Sequence, residues 1–281
     1  MRFLAPGRVA FVVVALVAAG FGVVWAAQQR ARGLGRVTVS TGPPLPLFGR
    51  YDRFRPALTD GSRPREFYFT RGIYSEGGWR GWGSWAVDFP KADRQVTVLI
   101  DRLINVDIYP YENAIRFDDP DLRRFPWMYI LEVGDMALSD AEVNGLRDYL
   151  ESGGFLVVDD FWGSWEWANF DSEIRRVLPE YPIVEVPLDH PIFHMVYNIG
   201  EVIQVPNVNQ GARGGPTWEQ DGYEPHVRGI FDDKGRLMVV INWNTDLGDA
   251  WEWAERPEYP LKYSTFAVEM GINFIVYGMS H

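Results

Sequence analysis

Tryptophan and acidic residues are concentrated in segments that follow predicted strands, and nine of the 12 tryptophans fall in three of these segments. An aromatic face beside a carboxylate suits a sugar ring, and it equally suits a cationic ligand held by cation–π contacts. The candidate ligand-binding residues are Arg71, Tyr74, Trp85 and Asp88 after the first strand, Asp135 after the next, Asp159, Asp160, Trp162, Trp165 and Glu166 after a third, and Asn244, Asp246 and Asp249 after the last.

The adjacent acids Asp159 and Asp160 have three possible chemical roles. They suit an acid and a base, a carboxylate nucleophile, or half of a hard-cation site with Asp246 and Asp249. Adjacent residues on an extended segment point to opposite sides, however, so the two carboxylates do not easily share one ligand. The alternative interpretation is that the tryptophans pack the loops onto the domain and the acids cap helices or face solvent. Sequence alone assigns no catalytic residue, and we expect no metal and no cofactor.

Strand and helix signals alternate along the domain, which favours an α/β fold with a three-layer, doubly wound and mostly parallel sheet. In such a sheet, ligands bind beyond the carboxyl ends of the strands. Ser139 and Glu142 form a predicted capping box at the start of one helix. Strands are predicted at residues 66–70, 128–132, 155–159, 183–186, 202–205, 227–231 and 237–242, and helices at 88–104, 139–150, 172–178 and 263–277.

The N-terminal part of the chain does not resemble a globular domain. Residues 9–27 are apolar apart from glycines and follow two arginines, which predicts a signal peptide or membrane anchor at residues 1–27. Residues 28–65 form a predicted basic linker rich in proline and glycine, and residues 66–281 form the domain. We therefore expect an exported protein, either periplasmic or anchored in the cytoplasmic membrane with its domain outside. The arginines just after the apolar segment argue against that orientation.

The charge and composition of the chain exclude several kinds of partner and active site. Residues 1–65 contain ten arginines and two acids, whereas the rest of the chain contains 17 basic and 36 acidic residues. An acidic domain repels phosphate backbones, so nucleic acid is not an expected partner. The chain has no cysteine, which excludes disulfides, a cysteine nucleophile and thiolate metal sites.

From residue 67 to its C-terminus the chain resembles the DUF4159 family, which lies within the class I glutamine amidotransferase-like superfamily. The resemblance rests on Phe67-Tyr68-Phe69 with Arg71 and Tyr74, on residues 85–88 and 138–150, on Gly153-Gly154-Phe155 through Asp159-Asp160, on Asp189-His190-Pro191-Ile192-Phe193, on residues 242–253, and on Gly271-Ile272-Asn273.

This resemblance implies a flavodoxin-like three-layer fold and brings no activity with it. It places Asp159 and Asp160 where true amidotransferases carry their cysteine nucleophile. Residues 242–249 contain neither the histidine nor the glutamate of a Cys-His-Glu triad. Glutaminase activity is therefore excluded.

We accordingly expect a non-amidotransferase domain in the cell envelope that binds a polar ligand, such as a glycan, or an envelope partner through its Trp/acid-rich edge. One alternative is a hydrolase that uses Asp159 or Asp160 with Asp246 or Asp249. Another is a structural module of a membrane complex. The expected partners are a polar small molecule or glycan, membrane proteins, and the membrane itself through the N-terminal segment.

Overall fold

A computed structural model describes residues 63–77 and 84–281 of the protein. The predicted N-terminal apolar segment, almost all of the linker, and Trp79 and Trp82 lie outside these residues. Within the described ranges, none of the helices combines the length and the apolarity that crossing a membrane requires.

Seven strands form one sheet in the spatial order β2-β1-β3-β4-β7-β6-β5. Strands β1 to β4 and β7 are mutually parallel, whereas β6 runs antiparallel to both β7 and β5. Taken alone, the parallel strands follow the order 2-1-3-4-5, which is the order of flavodoxin-like sheets. The prediction of a mostly parallel sheet is confirmed. The strands are β1 (Thr70–Ile73), β2 (Asn113–Arg116), β3 (Trp127–Leu131), β4 (Phe155–Asp159), β5 (Ile183–Glu185), β6 (His226–Phe231) and β7 (Leu237–Trp243).

Helices cover both faces of the sheet. Side chains of β3 alternate between the two faces, so Met128 and Ile130 pack in the core beneath α2 and α3, while Tyr129 and Leu131 pack in the core shared with α1, α5 and α6. This alternation gives three layers, as expected for a parallel sheet buried on both sides. The helices are α1 (Lys91–Leu103), α2 (Asp140–Glu151), α3 (Gly163–Val177), α4 (Val208–Arg213), α5 (Leu247–Glu252) and α6 (Leu261–Ser280).

Helix α2 begins with the predicted capping box. The Ser139 hydroxyl accepts from the Glu142 backbone N–H, and the Glu142 carboxylate accepts from the Ser139 backbone N–H at 2.8 Å. The same carboxylate accepts from the backbone N–H of Ser75 at 2.9 Å. One buried glutamate therefore caps a helix and fixes the chain that leaves β1.

Several elements differ from the sequence-based expectation. The first strand begins at Thr70 and extends to Ile73, because Gly72 permits a close approach in which a Cβ would lie 2.6 Å from Ile130 Cγ2. Helix α3 begins at Gly163 rather than at residue 172, so the Trp-rich segment after β4 is largely helical. Strand β2 was not predicted, because its four residues are too few to show a period. The described chain has no strand at residues 202–205.

Gly145 provides a test of the packing between α2 and the end of β2. A Cβ at this position would overlap the carbonyl oxygen of Phe117. Gly145→Ala is therefore expected to lower the free energy of unfolding by about 1–3 kcal/mol, although alanine is the better helix former. Asn144→Ala, on the exposed side of the same helix, serves as the matched control and should not destabilise. Urea denaturation measures the free energy of unfolding of both variants. A Gly145→Ala variant as stable as wild type would contradict the close contact between Gly145 and Phe117.

Candidate functional site

A cavity of about 300 Å³ lies at the carboxyl edge of the parallel strands. Segments that follow β1, β3, β4 and β7 converge on it, as expected for an open α/β sheet. The connection between β5 and β6 completes the wall. Seven of its lining residues are acids, and the described residues contribute no lysine, arginine or histidine to the lining. The lining residues are Val87, Asp88, Glu132, Asp160, Trp162, Glu166, Asn207, Glu219, Gln220, Asp246 and Asp249.

The cavity brings together six of the candidate residues predicted from sequence: Asp88, Asp160, Trp162, Glu166, Asp246 and Asp249. The other seven candidates lie outside its lining. Most of them hold the cavity segments in place, and they are Arg71, Tyr74, Trp85, Asp135, Asp159, Trp165 and Asn244.

Asp160 occupies the turn from β4 into α3. Its backbone N–H donates to the Thr245 carbonyl at 3.2 Å, and its own carbonyl accepts from the Glu132 N–H at 2.9 Å. Its Oδ1 accepts from the Trp162 indole N–H at 2.9 Å. The turn therefore joins the ends of three neighbouring strands.

Left-handed backbone is concentrated around the cavity. The non-glycine residues with positive φ in the described chain are Asp88 (61°), Glu132 (55°), Asp160 (47°), Gln220 (50°) and Asn244 (61°). The first four line the cavity. Such a conformation costs about 1–3 kcal/mol per residue and persists only where the surroundings enforce it, most often at functional sites. The strain supports the assignment of this cavity as the candidate site.

Asp159 and Asp160 have different surroundings, as expected for adjacent residues on a strand. Asp159 is fully buried outside the cavity lining. Its Oδ2 accepts from the Tyr129 hydroxyl at 2.7 Å and from the backbone N–H groups of Leu247 and Gly248 at 2.9 and 3.0 Å. Burial raises the pKa of Asp159 to about 7 in spite of these bonds. Asp159 therefore fixes the start of α5 on the sheet and acts as a positioning residue.

The cavity carboxylates perturb one another. Burial raises the pKa of Asp160 well above its usual range, and the neighbouring charges of Glu132 and Asp88 raise it further. Burial likewise raises the pKa of Asp246, with additional repulsion from Asp160 and Asp249. Like charges at this separation cannot all remain ionised without a counter-ion, so the cluster must bind protons or another cation.

A buried ion pair holds the segment that carries Asp88. The Arg71 guanidinium lies 2.6 Å from Asp93 on α1, and both side chains are fully buried. Its Nη1 donates to the carbonyls of Trp85 and Val87 at 3.3 and 3.1 Å. Arg71 was a candidate ligand-binding residue, but the ion pair and these two bonds commit it to the protein interior.

Tyr74 and Asn244 also hold cavity segments in place. The Tyr74 hydroxyl donates to the Leu131 carbonyl at 2.7 Å, which fixes the end of β3. Asn244 accepts from the Gly163 N–H at 2.9 Å and donates to the Glu224 carbonyl at 2.7 Å. It thereby joins the β5–β6 connection to the start of α3.

The remaining candidates do not provide a stacking surface inside the cavity. Trp85 is buried and packs against Phe89, with ring centroids 5.8 Å apart. Trp165 is 56% exposed but lies outside the cavity lining. Asp135 ends a short 3-10 helix, also outside the lining. Trp162 is the lining tryptophan, and its indole N–H is directed at Asp160.

The sequence-based prediction missed four polar lining residues. Glu132 was placed inside a strand, but its positive φ turns it out of the sheet. Asn207, Glu219 and Gln220 come from the β5–β6 connection, which follows β5. Because β6 is antiparallel to both β5 and β7, β5 runs in the same direction as the parallel strands, so this connection also leaves the sheet at its carboxyl edge. The length of that connection was a usable signal, because a long irregular segment in a compact domain is usually functional.

Breaking the buried ion pair tests its positioning role. Arg71→Met leaves Asp93 buried without a counter-charge and is expected to lower the free energy of unfolding by about 3–5 kcal/mol. The double variant Arg71→Met/Asp93→Leu should recover part of this loss. Chemical denaturation measures both values, and a double variant less stable than Arg71→Met alone would show that the charge pairing is not the cause.

The raised pKa values determine how stability depends on pH. An acid whose pKa is higher in the folded state keeps a proton that the unfolded chain releases, so its stabilisation is complete below the unfolded pKa and is lost as pH rises through the folded pKa. Asp159, with a pKa of about 7, and Asp160, with a raised pKa, both behave in this way. In metal-free buffer we expect the free energy of unfolding to fall between about pH 5 and pH 7.5.

Asp160→Asn should make this fall less steep, because it removes one titrating group. Urea denaturation at several pH values within the window measures the slope. A wild-type protein that becomes more stable across the same window would contradict the assignment.

The family comparison covers the whole cavity. The family described as "Domain of unknown function (DUF4159)" matches residues 76–279, which include every cavity-lining residue. No curated protein matches the chain. Because the match extends over well more than half of the sequence, the chain belongs to the DUF4159 family.

Proposed function

We propose that this domain binds a polar ligand that places a positively charged group in the carboxylate cavity. The observation that carries the proposal is the lining itself, with seven acids and no basic side chain from the described residues. A cation in this space would relieve the repulsion among the buried carboxylates. The attraction between the cation and the carboxylates would also be stronger there, because solvent screens charges less inside the cavity.

The lining favours a cationic group over a neutral sugar. Carboxylates accept hydrogen bonds, so the ligand must supply the donors. Stacking of a sugar face needs an exposed ring, but Trp162 is buried and its N–H is already bonded to Asp160. A glycan ligand is consistent with the lining if it carries an ammonium group, as an amino sugar does.

A hydrolase that uses Asp160 with Asp246 is the second candidate. The observation in its favour is the strained turn at Asp160, because a strand-to-helix turn of this kind presents a reactive side chain at the top of a sheet. The raised and mutually dependent pKa values of the two acids suit an exchange of protons. Asp159 has no role in this scheme, since its Oδ2 is committed to α5.

The fold relationship and the location belong to the same proposal. The order of the parallel strands supports a relationship to the class I glutamine amidotransferase-like superfamily. The apolar segment at residues 1–27 supports export, with the domain outside the cytoplasmic membrane. Glutaminase activity is not proposed, because the chain contains no cysteine.

Two matched pairs of probes test the proposed function. Glucosamine and putrescine carry ammonium groups, whereas N-acetylglucosamine and 1,4-butanediol are their uncharged counterparts. In buffer containing EDTA, calorimetric titration should show at least one charged probe binding at least about tenfold more tightly than its uncharged counterpart, a difference of about 1.4 kcal/mol.

Asp246→Asn should weaken this binding, and Trp165→Ala, outside the lining, serves as the control and should not. Equal binding of charged and uncharged probes would refute the proposed function. The proposed function would also be refuted if Asp246→Asn did not change the binding of the charged probes.

A further inference from the structure

The geometry points to a binding site for a hard divalent cation, of about the size of Ca²⁺, formed by Asp88, Asp160 and Asp246. This inference rests on the proposed function, because it names the positive charge that the cavity receives. The three residues come from segments after β1, β4 and β7, so the site exists only in the folded domain.

The three carboxylates are close enough to share one ion. Each offers an oxygen, and these oxygens all lie within 4.8 Å of one another. Even at the full separation, three oxygens would lie only about 2.8 Å from a central ion, so small side-chain movements would bring them within the usual range for Ca²⁺. Carboxylate oxygens are also the ligands that hard divalent cations prefer.

An unsatisfied oxygen supports the site independently of the clustering of acids. Asp88 lines the cavity, and its Oδ2 is buried without a hydrogen-bond partner among the described residues. A buried carboxylate oxygen without a partner is costly, and a native protein rarely leaves one without a reason. A bound cation would supply the missing partner.

Two other acids in the lining already have both carboxylate oxygens bonded within the protein. Both oxygens of Glu166 accept hydrogen bonds, from the Trp162 N–H and from the Gln220 amide. Both oxygens of Asp249 also accept hydrogen bonds, from the Val208 backbone N–H at 2.6 Å and from the Trp253 indole N–H at 2.9 Å. By contrast, Oδ1 of Asp160 accepts one bond from the Trp162 indole N–H, and Oδ1 of Asp246 accepts one from the Asp249 backbone N–H.

A second group of acids, Asp88 with Asp249 and Glu252, is less suitable. Its oxygens are equally close, but a cation already acts on it: burial raises the pKa of Glu252 to about 7, and the charge of Lys91 opposes that rise. Lys91 lies over the Trp253 ring at 3.3 Å, next to this group. The ammonium group therefore already provides part of the counter-charge there, whereas the described cavity lining supplies none.

The cation would leave room for a ligand. If each carboxylate supplies one oxygen, the three supply fewer than the six to eight that Ca²⁺ takes, so other positions must be filled by water or by a ligand oxygen. The cavity of about 300 Å³ has space for several waters at about 30 Å³ each. The site therefore suits a ligand whose hydroxyl or carboxylate oxygens complete the coordination.

Terbium luminescence and calcium titration of the full-length protein test the inference. Tb³⁺ bound at Asp160 should be sensitised by the adjacent Trp162, and Ca²⁺ should displace it. In calorimetry, Asp160→Asn and Asp246→Asn should each weaken Ca²⁺ binding at least about tenfold, because each removes one charged ligand. Glu201→Gln removes an exposed acid outside the cavity and should bind Ca²⁺ as wild type does.

Folding of the variants is checked in EDTA. Asp160→Asn and Asp246→Asn should unfold at or above the wild-type temperature there, because each removes like-charge repulsion. Addition of Ca²⁺ should then raise the wild-type melting temperature more than that of either variant. This reversal of the order of stability is not expected if the acids have only a structural role.

The outcomes separate this inference from the proposed function. If glucosamine or putrescine binds in EDTA while Ca²⁺, Mg²⁺ and Mn²⁺ do not bind, the metal site is refuted and the proposed function stands. If neither the organic cations nor the metals bind, both are refuted. Calcium binding that is unaffected by Asp160→Asn and Asp246→Asn would overturn the assignment of the ligands.

Discussion

The buried carboxylate of Asp159 is the interaction on which the cavity depends. One of its oxygens accepts from a hydroxyl on β3 and from two backbone N–H groups at the start of α5. These bonds fix the helix that carries Asp246 and Asp249 opposite the turn that carries Asp160. Like charges do not assemble spontaneously, so the surrounding scaffold must offset their repulsion. Arg71 likewise holds the segment that carries Asp88 in place, through its bonds to the Trp85 and Val87 carbonyls.

The sequence predicted those parts of the site that follow from chain topology. Apolar strands alternating with helices predict a parallel sheet, and the carboxyl ends of its strands must then meet at one edge. Asp160 and Asp246 could be placed together on this ground alone, although they are far apart in the chain. The capping box at Ser139 was predictable because its pattern is local.

The sequence did not predict which side chains face the cavity. Arg71 and Asp159 have the residue types expected of a binding site, but packing against α1 and α5 turns them into the interior. The tryptophans were misleading for a similar reason, since Trp85 and Trp251 fill the core. A polar or aromatic residue after a strand can either line a cavity or support its wall. Tertiary contacts decide between the two, and the local hydrophobic periodicity does not reveal those contacts.

The β5–β6 connection has a consequence for how the cavity wall can change. It supplies Asn207, Glu219 and Gln220 to the lining, whereas the other lining residues follow β1, β3, β4 and β7. The two parts are joined by several hydrogen bonds, among them Ser164 N–H to Asp221 at 2.8 Å, Val208 N–H to Asp249 at 2.6 Å, and Asn244 to the Glu224 carbonyl at 2.7 Å. Changes in the connection that break these bonds therefore also act on the segments that carry the acids. The long connection and the loops after the parallel strands thus form one hydrogen-bonded wall, and neither stretch of polypeptide can change its shape without affecting the other.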